Sequence, residues 1–288
     1  MRIVPLGADS LGTRSFSLYV ETGDVKIIVD PSCALAPRRN GYPPSPQEVH
    51  NLNVIYNKIR SYVKQSDVVI ISHFHNDHYP FFDVDIFLGK ILLIKDYKKD
   101  MNYMQVIRAK KFIEELQRRG VKYFFADLKE FNFNKTKILF SDGLWHGRLK
   151  REGKVVGFII EEKERLFYSS DTQGLWDKNL KEFLKGKVID YFFVDGPSLY
   201  QSKKSEIDEF IRDVSELLKE LNNSIMIIDH HFVRDLSYIN YIRNFREIYG
   251  NRVFTCAEFL GEKDTPLEAL RRDYYEGRNF ELNKAKFN

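Results

Sequence analysis

Cysteine is scarce in this 288-residue chain, which contains only Cys33 and Cys256. Two cysteines this far apart exclude a disulfide framework and make a reducing cytoplasm the expected compartment. Long apolar runs are also missing, because no stretch approaches the roughly 20 residues that a membrane-spanning helix needs. The N-terminal residues enter a strand-like pattern without the basic and apolar regions of a signal peptide. We therefore expect a cytoplasmic protein without a membrane partner.

The chain also lacks recognisable linkers, internal repeats and low-complexity segments. Its length is ample for a hydrophobic core, so we expect one domain over residues 1–288. Hydrophobic content is 43% and charged content 30%, which is ordinary for a globular protein. Few glutamines and many Lys, Glu and Ile residues are typical of thermophiles. The net charge of +4 permits an anionic substrate but does not identify one.

Strand-like segments occur in groups, with helical patterns between and after them. This order predicts two sheets covered by helices on both outer sides. One helix has a clear start, because Ser45 can cap it and Glu48 completes a capping box. An apolar stripe is predicted along this helix, formed by Val49, Leu52, Tyr56, Ile59 and Val63. His50 lies off that stripe, so we interpret it as a surface residue.

The segment Ser72-His73-Phe74-His75-Asn76-Asp77-His78 contains four side chains that can bind a metal. It follows the apolar run 68–71, which is typical of a buried strand. If the strand continued through the histidines, His73 and His75 would share a face and converge on one metal. Asp77 and His78, just beyond the strand end, would turn toward a second metal. Both the ligand types and their spacing are those of zinc-type sites.

Four more candidate ligands follow strand-like runs further along the chain: His146, Asp171, His230 and His231. Strand ends are where α/β proteins place their sites, because loops converge there while the sheet holds them rigid. The candidates form two sets. One metal would take His73, His75 and His146, and the other Asp77, His78 and either His230 or His231. Asp171 could bridge both, since a carboxylate has two oxygens.

This order of motifs resembles the metallo-β-lactamase-fold hydrolases over essentially the whole chain. The resemblance includes the Leu6-Gly7 strand, Ile28-Val29-Asp30, residues 168–172 and residues 228–231. It implies an α/β (α+β) protein with a four-layer αββα sandwich and a binuclear site at one edge of the two sheets. In this fold an aspartate such as Asp30 orients a ligand histidine. The loop 37–44 and the segment 229–235 resemble an uncharacterised archaeal branch of the superfamily.

The late segment His231-Phe232-Val233-Arg234 is similar to a motif of ribonuclease Z, in which an arginine follows a histidine. The spacing differs and Val233 replaces a usual serine, so His230 and His231 both remain candidate ligands, with a slight preference for His231. Asp195 could orient a ligand histidine or simply form a turn. Arg38 and Arg39 could clamp a phosphate or carboxylate, with solvation as the alternative. Tyr79 or the second late histidine could protonate the leaving group.

The ligand set contains nitrogen and oxygen donors, which suit zinc and also manganese or iron. We expect a hydrolase in which a hydroxide bridging two metals attacks a phosphoryl or acyl ester. Asp77 would hold a metal and orient the hydroxide, and His231 is the other catalytic candidate. The expected substrate is a small-molecule or nucleotide-type anion, with nucleic acid as the alternative.

Two alternative functions use the same fold. Flavodiiron redox enzymes resemble this chain, but they carry glutamate at the position of His75, lack the histidine at His78 and need a flavin domain. Nucleases such as ribonuclease Z or the β-CASP enzymes carry an RNA-gripping arm or a large inserted domain. The stretch between Asp171 and His230 holds only a predicted strand, helix and strand, which excludes the β-CASP insertion. The first comparison favours hydrolysis over redox chemistry, and a nuclease that acts on small or tailored substrates stays an alternative.

Overall fold

Two β-sheets form the centre of the protein in a computed structural model, which describes residues 1–221 and 223–278. The first sheet has six strands in sequential order. The first three strands pair antiparallel and the others parallel. Its strands are β1 (Arg2–Ala8), β2 (Phe16–Glu21), β3 (Lys26–Val29), β4 (Val68–Ile71), β5 (Ile91–Ile94) and β6 (Lys122–Phe125).

The second sheet has seven strands in the order β15-β14-β13-β12-β11-β8-β7. These are β7 (Glu130–Phe133), β8 (Thr136–Phe140), β11 (Phe158–Glu161), β12 (Arg165–Tyr168), β13 (Tyr191–Asp195), β14 (Ile225–Asp229) and β15 (Val253–Phe254). Strands β12 to β15 are parallel neighbours, so their carboxyl ends lie at one edge. A separate ribbon pairs β9 (Leu144–Trp145) with β10 (Lys154–Val155).

The side chains of the second sheet point alternately to its two faces, and each face packs against a different layer of the protein. Phe158 and Ile160 of β11 belong to the core cluster shared with the first sheet, whereas Ile159 belongs to a second cluster beneath helices. Successive strand side chains point to opposite faces, so each face of this sheet has its own core. The helices are α1 (Pro46–Gln65), α2 (Tyr103–Arg118), α3 (Lys178–Leu184), α4 (Lys204–Glu220), α5 (Tyr238–Tyr249), α6 (Cys256–Phe259) and α7 (Leu267–Tyr275). Buried residues of α1 and α2 join the first cluster and those of α4 and α5 the second.

The start of α1 agrees with the sequence, but its buried face does not. Ser45 Oγ accepts from Glu48 N at 3.2 Å, and Ser45 N donates to the Glu48 carboxylate at 2.9 Å, which confirms the capping box. Val49, however, is 46% exposed, so its place in the apolar stripe was wrong. Glu48 and Ile55 are buried instead. The stripe is rotated because Glu48 forms an internal ion pair with Arg271 of α7.

Several short elements were missed in the sequence. Strands β7 and β9 and helices α3 and α6 are too short for a clear period of either kind. Strand β15 ends at Phe254, and Cys256 begins α6. In the part of the chain that the structure describes, no helix combines the length and the apolar character needed to cross a membrane.

Candidate metal centre

The candidate ligands lie in loops that follow the carboxyl ends of neighbouring strands. Strand β4 ends at Ile71, and His73 to His78 form the loop after it. The predicted continuation of the strand through His73 and His75 was therefore wrong. A turn follows at His75, because His78 N donates to His75 O at 2.9 Å. His73 Nε2 then lies 3.1 Å from His75 Nδ1.

One group of four side chains could hold a metal ion: His73, His75, His146 and Asp171. The Oδ2 atom of Asp171 lies 3.5 Å from His73 Nε2 and 3.4 Å from His146 Nε2. Ligands placed 2.0–2.1 Å from a tetrahedral zinc ion are separated by about 3.3 Å. The spacing of these donor atoms is therefore that of a zinc-type site.

A second group contains Asp77, His78 and His230. Asp171 reaches this group as well, because its Oδ1 lies 3.2 Å from His78 Nε2 and its Oδ2 3.3 Å from His230 Nε2. The Asp77 carboxylate lies 3.9 Å from His78 Nε2 and 3.8 Å from His230 Nε2. Asp171 thus stands between two sets of ligand atoms, where a bridging carboxylate would stand.

Unpaired polar atoms test whether this arrangement suits metal ions. Both ring nitrogens of His146 are buried and have no hydrogen-bond partner among the described residues, and the buried His78 Nε2 and Asp171 Oδ1 face only each other, at 3.2 Å. Buried polar atoms are normally paired, because an unpaired one has lost its hydration without compensation. These are the lone pairs that would face a cation, and imidazole and carboxylate are suitable donors. The residues therefore fit divalent metal binding.

Asp30 lies behind the second group and contacts one of its histidines. Its Oδ2 is 2.9 Å from His78 Nδ1 and accepts hydrogen bonds from Tyr168 OH at 2.8 Å and Ser72 Oγ at 2.6 Å. Its Oδ1 accepts from Ser72 N at 2.7 Å. These contacts keep a proton on His78 Nδ1, so Nε2 is the nitrogen that can bind a metal, which is the arrangement of an outer carboxylate beside a metal ligand.

Asp9 and Arg234 also support the centre, and the sequence reasoning missed both. Asp9 Oδ2 lies 3.0 Å from His230 Nδ1, and Asp9 Oδ1 accepts from Arg234 Nε at 3.0 Å. Arg234 is only 4% exposed and its Nη2 lies 3.6 Å from the Asp77 carboxylate. The available signal for Asp9 was its position directly after β1, at the same edge as the other strand-end residues.

The two late histidines have different environments. His230 has a φ of 60° and directs Nε2 toward Asp171. His231 Nδ1 lies 2.9 Å from Asp195 Oδ2, and its backbone N donates to Asp195 Oδ1 at 3.0 Å. His231 is near enough to form a third candidate group with Asp171 and His230. The geometry nevertheless favours His230 as the ligand, against our slight preference for His231, because His230 Nε2 lies 3.3 Å from Asp171 and 3.8 Å from Asp77 and groups with Asp77 and His78.

The three residues predicted to contact the substrate lie in three different environments. Tyr79 is 2% exposed, and its ring packs on Phe74 and Phe112 in the core, so it does not line an open site. This position corrects its expected role with the leaving group. Arg38 is exposed and donates to Gly41 O at 3.0 Å within its own loop. Arg39 instead donates to the Arg234 carbonyl at 2.8 Å, next to the late histidines.

Without metal, the histidines of the two ligand groups differ in the direction of their pKa shifts. Burial lowers the pKa of His75 to about 3 and holds the pKa of His73 well below its usual range, and neighbouring histidines add to both shifts. Burial also opposes the charge on His230 and His78, but Asp171 outweighs it. The pKa of His230 is raised to about 10 and that of His78 well above 6.5. Without metal, burial therefore favours neutral His73 and His75, whereas the Asp171 carboxylate favours the protonated forms of His78 and His230.

Metal loading should therefore release protons, mainly from the second group. Ligand histidines must be neutral, so His78 and His230 each lose a proton at pH 7. We expect at least two protons per fully loaded chain, because any ionisation of a metal-bound water adds to the two from the histidines, and an apparent affinity of this group that rises with pH across the neutral range. Titration calorimetry in buffers with different ionisation enthalpies measures the release. Loading without proton release at pH 7 would contradict the assignment.

Solved structures with this fold agree with the layer arrangement. A possible metal-dependent hydrolase from Veillonella parvula superposes with a TM-score of 0.57 at 13% identity, covering 85% of this chain and 94% of its own. Yeast PDE1 gives a TM-score of 0.57 at 13% identity, covering 88% and 96%. An isothiocyanate hydrolase from Delia radicum gut bacteria gives 0.53 at 16%, covering 88% and 96%. The protein has the metallo-β-lactamase fold, which confirms the predicted fold class.

The chain belongs to the UPF0282 family of archaeal proteins. It is 38% identical to the UPF0282 protein MJ1629 of Methanocaldococcus jannaschii, covering 97% of this chain and 98% of that protein. It is 35% identical to a UPF0282 protein of Thermococcus gammatolerans, covering 98% of each. No protein-family model matches the chain. The predicted resemblance to an archaeal branch is confirmed.

Proposed function

We propose that this protein is a hydrolase that uses two divalent metal ions to cleave a phosphoryl or acyl ester in a small anionic substrate. The position of Asp171 carries the proposal. Its carboxylate lies within 3.5 Å of the Nε2 atoms of four histidines, which belong to two separate ligand groups. Zinc is the expected ion, and manganese and iron suit the same donors.

In this proposal, His73, His75 and His146 hold one ion, Asp77, His78 and His230 hold the other, and Asp171 contacts both. Bound ions supply a water with its pKa lowered to about 7 and polarise the ester oxygen. Asp77 has a second role, because its side chain is 15% exposed, more than those of His78, His230 and Asp171. Burial opposes its charge, but His78 and His230 hold the pKa of Asp77 below its usual range, so it accepts a hydrogen bond from the attacking water.

His231 transfers protons between this water and the leaving group. Its side chain is 12% exposed, and the hydrogen bond to Asp195 keeps the proton on Nδ1. Burial, aided by Arg234 and His230, lowers the pKa of His231, so Nε2 is free at neutral pH. This atom can accept a proton from the water and return it to the leaving oxygen.

The proposal is tested by metal analysis and a substrate screen. Purified protein reconstituted with zinc, manganese or iron should retain close to two ions per chain. It should also hydrolyse a member of a panel of phosphodiesters, phosphomonoesters, thioesters, lactones and short RNA. Efficient cleavage of the RNA alone would favour the nuclease alternative. A protein that binds no metal after reconstitution would exclude the binuclear proposal.

The histidines provide a matched control for this test. His73→Ala should lose bound metal and turnover, because His73 is fully buried among the ligand atoms. His50→Ala should keep both, because His50 is exposed on α1 outside the candidate ligand groups. Equal loss in both variants would show that the effect does not depend on the cluster.

Replacing His231 with alanine should reduce kcat by about 10²-fold while the metal content stays near two, since general acid–base catalysis contributes at least this much. The loss should be larger for an alkyl ester than for a p-nitrophenyl ester, whose leaving group needs no proton. Measuring kcat for both esters and metal by mass spectrometry separates this role from metal binding. Loss of one ion in the variant would make His231 a ligand instead.

A further inference from the structure

Arg39 occupies an unusual position beside the metal centre. Its guanidinium carbon lies 3.4 Å from the centroid of the Tyr200 ring. Its Nη2 donates to the carbonyl of Arg234 at 2.8 Å. Arginine stacked on an aromatic face and tied to a backbone carbonyl has few orientations left. The side chain is therefore held in place before any ligand arrives.

The backbone of Arg39 is equally constrained. Arg39 N donates to Tyr42 O at 2.9 Å and Tyr42 N to Arg39 O at 3.0 Å, which closes a two-residue turn. Asn40 and Gly41, at the centre of this turn, have φ of 52° and 85°. Asn-Gly is the pair that adopts such left-handed conformations most readily. A rigid loop loses little conformational entropy when it binds a ligand.

Both partners of Arg39 belong to loops that carry residues of the centre. Arg234 ends the 3₁₀ turn that begins at His230. A 3₁₀ helix rises about 2 Å per residue, so the Arg234 backbone lies roughly 6 Å along the axis from His231. Tyr200 follows β13, which ends at Asp195, the partner of His231. Arg39 is thus tied to the loop that carries His230 and His231 and to the loop that follows Asp195.

The charge and one donor of Arg39 lack partners. Within residues 1–221 and 223–278, Arg39 forms no ion pair at the 4.0 Å limit, and its one side-chain hydrogen bond goes to a backbone carbonyl. Its Nε is buried without a hydrogen-bond partner in the same ranges. Arg148, by comparison, lies over the Trp176 ring but is paired with Glu209. A buried donor without a partner is costly, and an anion would satisfy both the donor and the charge.

We propose that Arg39, held by Tyr200, binds a second oxyanion of the substrate beside the ester that is cleaved, with phosphate as the expected group. Guanidinium presents a planar fork of donors that matches phosphate or carboxylate oxygens. The substrate would then be a phosphorylated small molecule or nucleotide. This inference rests on the proposed function for the reaction, but the binding of the anion can be measured without turnover.

Two chromogenic substrates test the subsite with the metal-loaded protein. The p-nitrophenyl ester of thymidine 5′-monophosphate contains one phosphodiester, and its 3′-phosphorylated form adds a second phosphate. We expect KM to be about 10- to 100-fold lower for the 3′-phosphorylated form, from one charge-assisted contact. Arg39→Met should remove this difference by raising KM for that form, with kcat changed less than about twofold. Arg39→Lys should restore part of it, because the charge remains while the fork is lost.

Arg38→Met is the control, because Arg38 is exposed and donates to Gly41 within the turn. It should leave both KM values unchanged. Calorimetric binding of thymidine 3′,5′-bisphosphate and thymidine 5′-monophosphate gives a readout without turnover. If neither ester is cleaved but Arg39→Met weakens binding of the bisphosphate and not of the monophosphate, the subsite is supported and the proposed reaction is not. The subsite would be overturned if Arg39→Met changed the affinity for both ligands equally. It would also be overturned if the wild type bound the two ligands with the same affinity.

Discussion

Replacing Asp171 with alanine should remove at least one metal ion and lower turnover by about 10³-fold or more. The carboxylate is 1% exposed and lies within 3.5 Å of ligand nitrogens from both groups. Losing one preorganised charge-stabilising group at a reacting centre already costs about 10²–10³-fold. In the proposed arrangement the same substitution would also remove an oxygen ligand from each ion, so we expect the larger loss.

Metal content by mass spectrometry and kcat on the best substrate from the panel measure this effect. Asp208→Ala on the exposed side of α4 is the matched control and should change neither quantity. Circular dichroism checks that the Asp171 variant folds. Asp171→Asn gives a second test, because it keeps the volume and removes the charge. Retention of two ions and near-normal turnover in either Asp171 variant would exclude a bridging role.

Arg271→Met should destabilise the protein by about 3–5 kcal/mol, the usual result of breaking a buried ion pair by removing one partner. The side chains of Arg271 and Glu48 are 0% and 1% exposed, and Arg271 Nη2 lies 2.7 Å from Glu48 Oε1. Arg271 also donates to the carbonyl of Ala36 at 2.9 Å, which ties α7 to the loop that carries Arg39. The loss is a large fraction of a typical total stability of about 5–15 kcal/mol.

Urea unfolding of the wild type and variants measures this change. Arg272→Met is the control, because Arg272 forms only an exposed pair with Glu276 and should change stability by less than about 0.5 kcal/mol. Adding Glu48→Gln to Arg271→Met should recover part of the loss, since glutamine carries no charge and can still accept the helix-start hydrogen bond. A single Arg271 variant as stable as the control would show that the pair contributes little.

Sequence patterns predicted the outline of the fold because they report burial directly. Apolar runs such as 68–71 and 225–228 are β4 and most of β14, and the polar residues after them meet at one edge of the sheets. The same patterns misplaced the buried face of α1, since Glu48 is buried only because Arg271 reaches it from 223 residues away. A hydrophobic pattern cannot anticipate a buried charge whose partner is so distant.

The sequence by itself determined which residue types could bind metal and in which order they occur, because ligand chemistry belongs to the side chain and strand ends are visible as breaks in an apolar pattern. The tertiary structure decided how these residues are used. His230 has a left-handed backbone conformation, and its ring is held by Asp9, so it faces Asp171. The ring of His231 is held by Asp195 instead. Both aspartates lie far away along the chain. The same folding separates the adjacent Arg38 and Arg39, leaving one on the surface and placing the other beside the centre. Local propensity cannot distinguish such neighbours, since their roles depend on contacts that exist only after the chain has folded.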